Sequence, residues 1–164
     1  MPTLHALLWN SPIGPLRLVG HDGALCGVYF ADQTGIPAWA MGAAKCTKDT
    51  APDTLRQTVE QLQAYFLGER QQFDLPMAWL DGTAFQRLVW QALADIPYGT
   101  TVSYGELATR IGRPRAVRAL GGAVGRNPLG IVLPCHRVVG AQGQLTGYTG
   151  GLDRKVALLQ LESR

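Results

Sequence analysis

At the start of the chain, three short runs rich in apolar residues, 3–9, 13–19 and 24–30, read as strands. Ser11-Pro12 and His21-Asp22-Gly23 between them carry turn chemistry. Residues 31–51 are rich in Gly, Ala and Thr and hold no period. The pattern then changes: Leu55, Val59, Leu62 and Phe66 recur at helical intervals, and Gly68 is placed to end that helix. Residues 1–81 therefore read as a small α+β domain. It holds no evident site chemistry, since His5, His21 and Cys26 lack metal-ligand spacing.

The seam falls at Asp81-Gly82, and residues 82–164 read as a second, mostly helical domain. Thr83 with Gln86 is a capping box, ahead of Phe85, Leu88, Val89 and Leu93 on one helical face. After a Pro97-Tyr98-Gly99 turn, Ser103 with Glu106 is a second capping box, opening a helix to about Ile111. Gly112-Arg113-Pro114 breaks it, and Pro114 suits the first position of a helix running to about Gly125, closed by Asn127-Pro128. Two short helices around a tight glycine-containing turn form a helix-turn-helix, the second carrying Arg115 and Arg118 and the turn carrying Arg113. Each of Gly121 and Gly122 weakens that helix by about 1 kcal/mol relative to Ala. Either another surface approaches closely there or the pair serves internal packing. A last helix shows Leu152, Val156 and Leu159 as its apolar residues and ends at Glu162. The fold class is α+β: a sheet-plus-helix domain, then a winged-helix-like helix-turn-helix domain.

With 164 residues, 46% hydrophobic and 16% charged, the chain is rich enough in apolar side chains to pack a core. No apolar run approaches the roughly 18 residues that cross a bilayer. The N-terminus lacks a basic and apolar leader pattern, which points to a cytoplasmic protein without membrane contact. Three widely spaced cysteines with no C-x-x-C argue against a disulfide framework or a zinc finger, and neither metal nor cofactor is expected. Charge is one-sided: residues 1–81 carry −3 and residues 82–164 carry +6. Between Glu106 and Asp153 there is no acid but six arginines, 110, 113, 115, 118, 126 and 137. Such a block attracts polyanions, phosphate backbones above all.

One nucleophile stands out. An apolar run, residues 129–133, ends at Pro134 and is followed by Cys135-His136-Arg137. A thiol reacts as thiolate, so His136 is a candidate base and Arg137 a candidate cation favouring the anion. Neighbours on a strand face opposite ways, so a turn after Pro134 or a bridging water is needed to join Cys135 to His136. Glu162 is a candidate orienter of the histidine, as the third member of a Cys–His–Glu relay.

These residues sit within motifs that resemble the O6-alkylguanine-DNA alkyltransferases. The motifs are GTAFQRLVWQAL (82–93), IPYGTTVSYGELA (96–108), RALGGAVGRNP (118–128), IVLPCHRVVG (131–140) and GYTGG (147–151), in the same order. In the first domain only SPIGPL (11–16) matches. The resemblance implies a protein that binds duplex DNA through the minor groove, with Arg113, Arg115, Arg118, Ala119 and Gly121 on the DNA-facing side; nothing in the chain looks like a dimerisation helix, so a monomer is expected. It implies that the alkylated nucleotide is turned out of the duplex, since its O6 cannot meet sulfur inside the stack. Arg118 would fill the vacated space, and Tyr104 would press the extruded backbone and give a proton to the guanine. Cys135 would take the alkyl group by in-line displacement, with His136 receiving the thiol proton through water, Glu162 holding His136 and Asn127 bracing the reactive turn. Val138, Tyr148, Thr149 and Gly150 would line the pocket, with backbone near Cys135 and Val138 accepting from the guanine amino group. The thioether is stable, so each molecule acts once, on O6-alkylguanine and by extension on O4-alkylthymine. Where many relatives read GYSGG this chain has Thr149, and Gly130 replaces a proline that packs on bulky alkyl groups in some of them. A non-enzymatic damage sensor would carry tryptophan in place of Cys135. A thiol hydrolase would not need the arginine block, and a plain regulator would not need PCHRV.

Overall fold

The computed structural model describes residues 2–164, which divide into two compact units at Leu80/Asp81. In the first, β1 (His5–Ser11), β2 (Gly14–His21) and β3 (Ala24–Phe30) form an antiparallel meander, so the first two strands run slightly later than the apolar runs indicate. The helix α2 (Asp53–Phe66) packs across these strands, burying Leu55, Val59 and Leu62. Gly68, at φ +77°, lets its N–H return to Tyr65 O as the helix ends. Residues 31–51 hold two elements too short to show a period: α1 (Ala38–Met41) and β4 (Ala44–Lys45). The strand β4 pairs parallel to β1, giving the order β3-β2-β1-β4. The other edge, β3, is covered at Leu25, whose N–H donates to Pro76 O and whose carbonyl accepts from Ala78.

The second unit begins with α3 (Ala84–Leu93), where both bonds of the Thr83–Gln86 capping box are present. Trp90 Nε1 donates to Ala123 O at 2.8 Å and ties α3 to α5 (Val117–Gly125). Ser103 and Glu106 form the second box, opening α4 (Tyr104–Arg110). The helix α5 starts three residues after Pro114, with Ala116 as an N-cap that makes no side-chain cap bond. Pro114 is therefore part of the turn and not the first helical residue, and Arg115 lies in the turn with Arg113. Two strands that periodicity does not reveal, β5 (Val102–Ser103) and β6 (Val138–Val139), pair in parallel. They bring the start of α4 beside the segment that follows Cys135.

The last helix, α6 (Leu152–Glu162), turns a different face inward from the one its apolar residues suggest. Lys155, Leu158, Leu161 and Glu162 are buried, while Leu152 is exposed and Val156 and Leu159 are half-buried. Two charges occupy positions where hydropathy asks for aliphatic side chains. Their partners in the tertiary structure explain it.

Candidate active site

The segment after α5 is bent by one carboxamide. Asn127 Nδ2 donates to Leu133 O at 2.8 Å and Leu129 O at 3.4 Å, while its Oδ1 accepts from Leu129 N at 3.0 Å. Residues 129–134 form a tight loop, with further short bonds from Leu133 N to Leu129 O and from Cys135 N to Leu133 O, both 2.8 Å. Ile131 inside it has φ +68°, a conformation in which a β-branched residue is strained. The loop delivers Cys135 into a single 3-10 turn, Cys135–Arg137. This is the turn that the adjacency of Cys135 and His136 called for.

His136 and Arg137 both reach Glu162 at the end of α6. His136 Nε2 lies 2.8 Å from Glu162 Oε2, while Arg137 donates from Nε to Oε1 at 2.8 Å and from Nη2 to Oε2 at 2.9 Å. The Gly99 N–H approaches Oε1 at 3.4 Å. Arg137 also donates through Nη1 to Ile96 O at 2.6 Å and lies over the Tyr98 ring. Its guanidinium is thus committed to Glu162, correcting the expectation that it favours the thiolate.

Burial lowers the pKa of His136, with Glu162 pulling it up and Arg137 and Lys155 adding to the fall; the net shift is downward. The ring is therefore neutral at neutral pH. Glu162, held by a bidentate arginine, accepts hydrogen bonds, so the imidazole proton sits on Nε2. Nδ1 is left as the basic lone pair, and it is buried with no hydrogen-bond partner among the described residues. Burial likewise raises the Cys135 thiol, against opposing pulls from the Asn127 side chain, the Lys155 charge and nearby backbone bonds. Cys135 rests as a thiol and needs a base before it can attack.

Lys155 escaped the motif reading. Only 1% of it is exposed, yet its Nζ bonds carbonyls, Val138 O at 2.7 Å and Thr146 O at 3.2 Å; burial lowers its pKa, and a negative charge on Cys135 would pull it back up. The available signal was positional: Lys155 is three and seven residues before Leu158 and Glu162, on one helical stripe.

The residues expected to border the base lie close by. Val138 is fully buried, its N–H donating to Cys135 O while its carbonyl takes Lys155; each of those carbonyls keeps a second lone pair. Tyr148 is half-buried, and burial, then the Cys135 charge, push its phenol well above the usual value. Thr149 Oγ1 donates to Gly125 O at 2.6 Å and joins this segment to the end of α5; Gly150 is buried and accepts from Arg154. Tyr104 opens α4, its hydroxyl accepting from Thr146 Oγ1 at 3.1 Å.

Five of the six block arginines (110, 113, 115, 118, 126) are exposed, and Arg137 is the buried exception. Arg118 and Ala119 are exposed in the first turn of α5. The two glycines divide the alternatives left open for them. A Cβ at Gly121 would touch the Tyr104 ring at 3.9 Å, whereas Gly122 is exposed with nothing within 4 Å. Half-buried Gly121 borders the Tyr104 ring, and Gly122 leaves an unobstructed strip of backbone.

Two family models cover nearly the whole chain: the 6-O-methylguanine DNA methyltransferase ribonuclease-like domain over residues 4–79, and its DNA binding domain over residues 84–164. A methylated-DNA--protein-cysteine methyltransferase of Mycobacterium bovis is 50% identical over 159 residues, 97% of this chain and 92% of that one. The protein of that name from Methanosarcina acetivorans is 45% identical, covering 97% of this chain and 98% of its own. Among solved structures, Mycobacterium tuberculosis O6-methylguanine methyltransferase superposes with a TM-score of 0.87 at 47% identity, covering 98% and 93% of the two chains. Mycobacterium tuberculosis OGT in complex with DNA does so at 0.85 and 47%, covering 97% and 92%. In sequence, in fold and in both of its domains, this chain belongs to the 6-O-methylguanine DNA methyltransferase family.

Proposed function

We propose that this chain repairs DNA by moving the alkyl group of O6-alkylguanine onto Sγ of Cys135, once per molecule, as a methylated-DNA--protein-cysteine methyltransferase. The observation that carries the reading is the polarity of the relay: Glu162 accepts a hydrogen bond from the Nε2–H of His136, leaving Nδ1 as the only basic site of a neutral ring. In this reading a water passes the Cys135 proton to Nδ1. The thiolate attacks the alkyl carbon in line, the S–C bond forms, the C–O6 bond breaks, and its electron pair stays on O6. A proton from Tyr104 neutralises the departing guanine. Asn127 keeps the reactive turn in place, and Tyr148, Thr149, Gly150 and Val138 border the base. O4-alkylthymine presents the same kind of exocyclic ether to the same sulfur.

The second substrate is the DNA itself. Arg113 and Arg115 in the turn, with Arg118, Ala119 and the start of α5, suit a phosphate-lined minor groove, and exposed Gly122 permits close approach. Arg118 fills the space of the extruded nucleotide, where a planar cation stacks on bases and bonds the orphaned partner. The three free thiols suit a reducing cytoplasm, and we read the protein as a monomer that needs no cofactor. Neither unit holds a helix long and apolar enough to cross a membrane among the described residues.

The test is intact mass with peptide mapping after mixing the protein with duplex DNA containing one O6-methylguanine. One added methyl on the Cys135 peptide, at most one per protein, is the expected result. Tight binding with no gain would make the chain a damage sensor, and neither binding nor gain would overturn the reading altogether.

A further inference from the structure

Tyr104 is held from three sides. It is the first residue of α4, capped by Ser103; its ring lies against Gly121 of α5; and its hydroxyl oxygen accepts a hydrogen bond from Thr146 Oγ1 at 3.1 Å. Thr146 is itself tethered. Its carbonyl accepts from Lys155 Nζ at 3.2 Å, and the same ammonium bonds Val138 O at 2.7 Å, beside the turn that carries Cys135. Lys155 meets no carboxylate among the described residues, and it is held by carbonyls alone. One threonine thus connects the buried cation behind the thiol to the phenol at the mouth of the helix-turn-helix.

The direction of the Thr146 bond matters chemically. A phenol that receives a donor on its oxygen keeps its own proton for an outgoing bond. A donor already aimed at that oxygen also opposes the negative charge that gathers there as the proton leaves, with no reorganisation at that moment. We propose that Thr146 is a positioning residue for proton donation by Tyr104, anchored for that task by Lys155. The proposal rests on the reading above, in which Tyr104 protonates the guanine as the C–O6 bond breaks. The balance is closed: the thiol proton passes to His136, the phenol proton passes to the guanine, and solvent later returns a proton from His136 to the phenolate. Thr146 transfers nothing and touches no substrate atom.

The experiment is single-turnover methyl transfer from duplex containing O6-methylguanine, measured for the wild type, Thr146→Val, Thr146→Ser, Tyr104→Phe and the Thr146→Val/Tyr104→Phe double variant. Valine keeps the shape and the Lys155-bound carbonyl and removes the donor. Its transfer rate is expected to fall roughly tenfold, the scale of one hydrogen bond to a developing charge. Serine should restore most of that loss, and the affinity for unmodified duplex should not change. In the Tyr104→Phe background the valine should have no further effect, because its partner is gone. An equal loss in both backgrounds, a loss confined to duplex affinity, or failure of serine to rescue would each overturn the proposal. Thr146→Ala, run beside the valine, separates a badly packed valine from a missing donor. If Tyr104→Phe reacts like the wild type, the proton-donor reading itself fails; if the wild type gains no methyl, the function does.

Discussion

The two units bury different chemistry. Apart from Arg17, Thr54 and Thr58, the buried residues named in the first unit are apolar, and the helix α2 covers its sheet with leucine, valine and tyrosine. The second unit buries Asn127, His136, Arg137, Lys155 and Glu162 within one neighbourhood and holds Ile131 in a left-handed conformation beside them. Hydrophobic burial stabilises the first unit roughly in proportion to area. In the second, desolvating charge is costly and is offset only where every partner is in place. An arrangement that simple stability would replace with aliphatic side chains is what supplies a neutral imidazole, a fixed tautomer and a thiol held in a turn.

The contrast breaks most completely at the sulfur. Cys135→Ser should abolish methyl acceptance while leaving duplex binding intact, read by mass and by DNA titration. Any methyl gain elsewhere on the chain would remove Cys135 from its role. Glu162→Ala comes next: it strands Arg137 in the interior and frees the His136 ring, so stability should fall by about 3–5 kcal/mol and transfer should slow together with it. Chemical denaturation and single-turnover rates measure the two losses. In the first unit, Leu62→Ala should lower stability by about 2–5 kcal/mol through its cavity, yet leave the fraction of folded molecules that accept a methyl unchanged. A fall in that fraction would mean that the first unit contributes to the chemistry.

Smaller effects sharpen the same comparison. Arg118→Ala should slow repair in duplex more than attack on the free modified base, because its proposed role is in extrusion. Equal losses on both would assign it to the chemistry or the fold. Binding to undamaged duplex should weaken steeply with salt and show little preference for sequence, as phosphate contacts from exposed arginines require. Two buried groups of the second unit contribute to the pH dependence. His136 has its pKa lowered in the fold, so the unfolded chain binds more protons below about 6.5; stability is full above that value and declines as pH falls toward the folded pKa. Cys135 has its pKa raised, so its contribution is full below about 9.0 and declines as pH rises beyond it. A His136→Asn variant should flatten the acid limb, monitored by thermal unfolding across pH.

Much of this molecule was legible along the chain. The apolar runs of the strands, the four- and three-residue spacing in α2 and the two capping boxes are local patterns, and local backbone preference was enough to locate them. Pro114 misled for a physical reason. Proline suits a first helical turn and an ordinary turn equally well, and here the helix waits until Val117. The elements α1, β4, β5 and β6 are each four residues or shorter, below the length at which a period exists; the strands persist through pairing with distant segments and α1 through the packing of Ala40 against the sheet.

For the site, order along the chain determined the identities: a thiol next to an imidazole, a terminal glutamate, a block of arginines without acids, and a run of motifs whose resemblance named the chemistry. Only the tertiary structure decided the assignments among them. It gave Glu162 to both His136 and Arg137, withdrew Arg137 from the thiol, put Lys155 in its place and joined Thr146 to Tyr104. The reason is that a charge in the interior takes its meaning from whichever partner replaces its water. Such partners, 25 residues away for Arg137 and 42 for Thr146, are neighbours in space that no local pattern encodes.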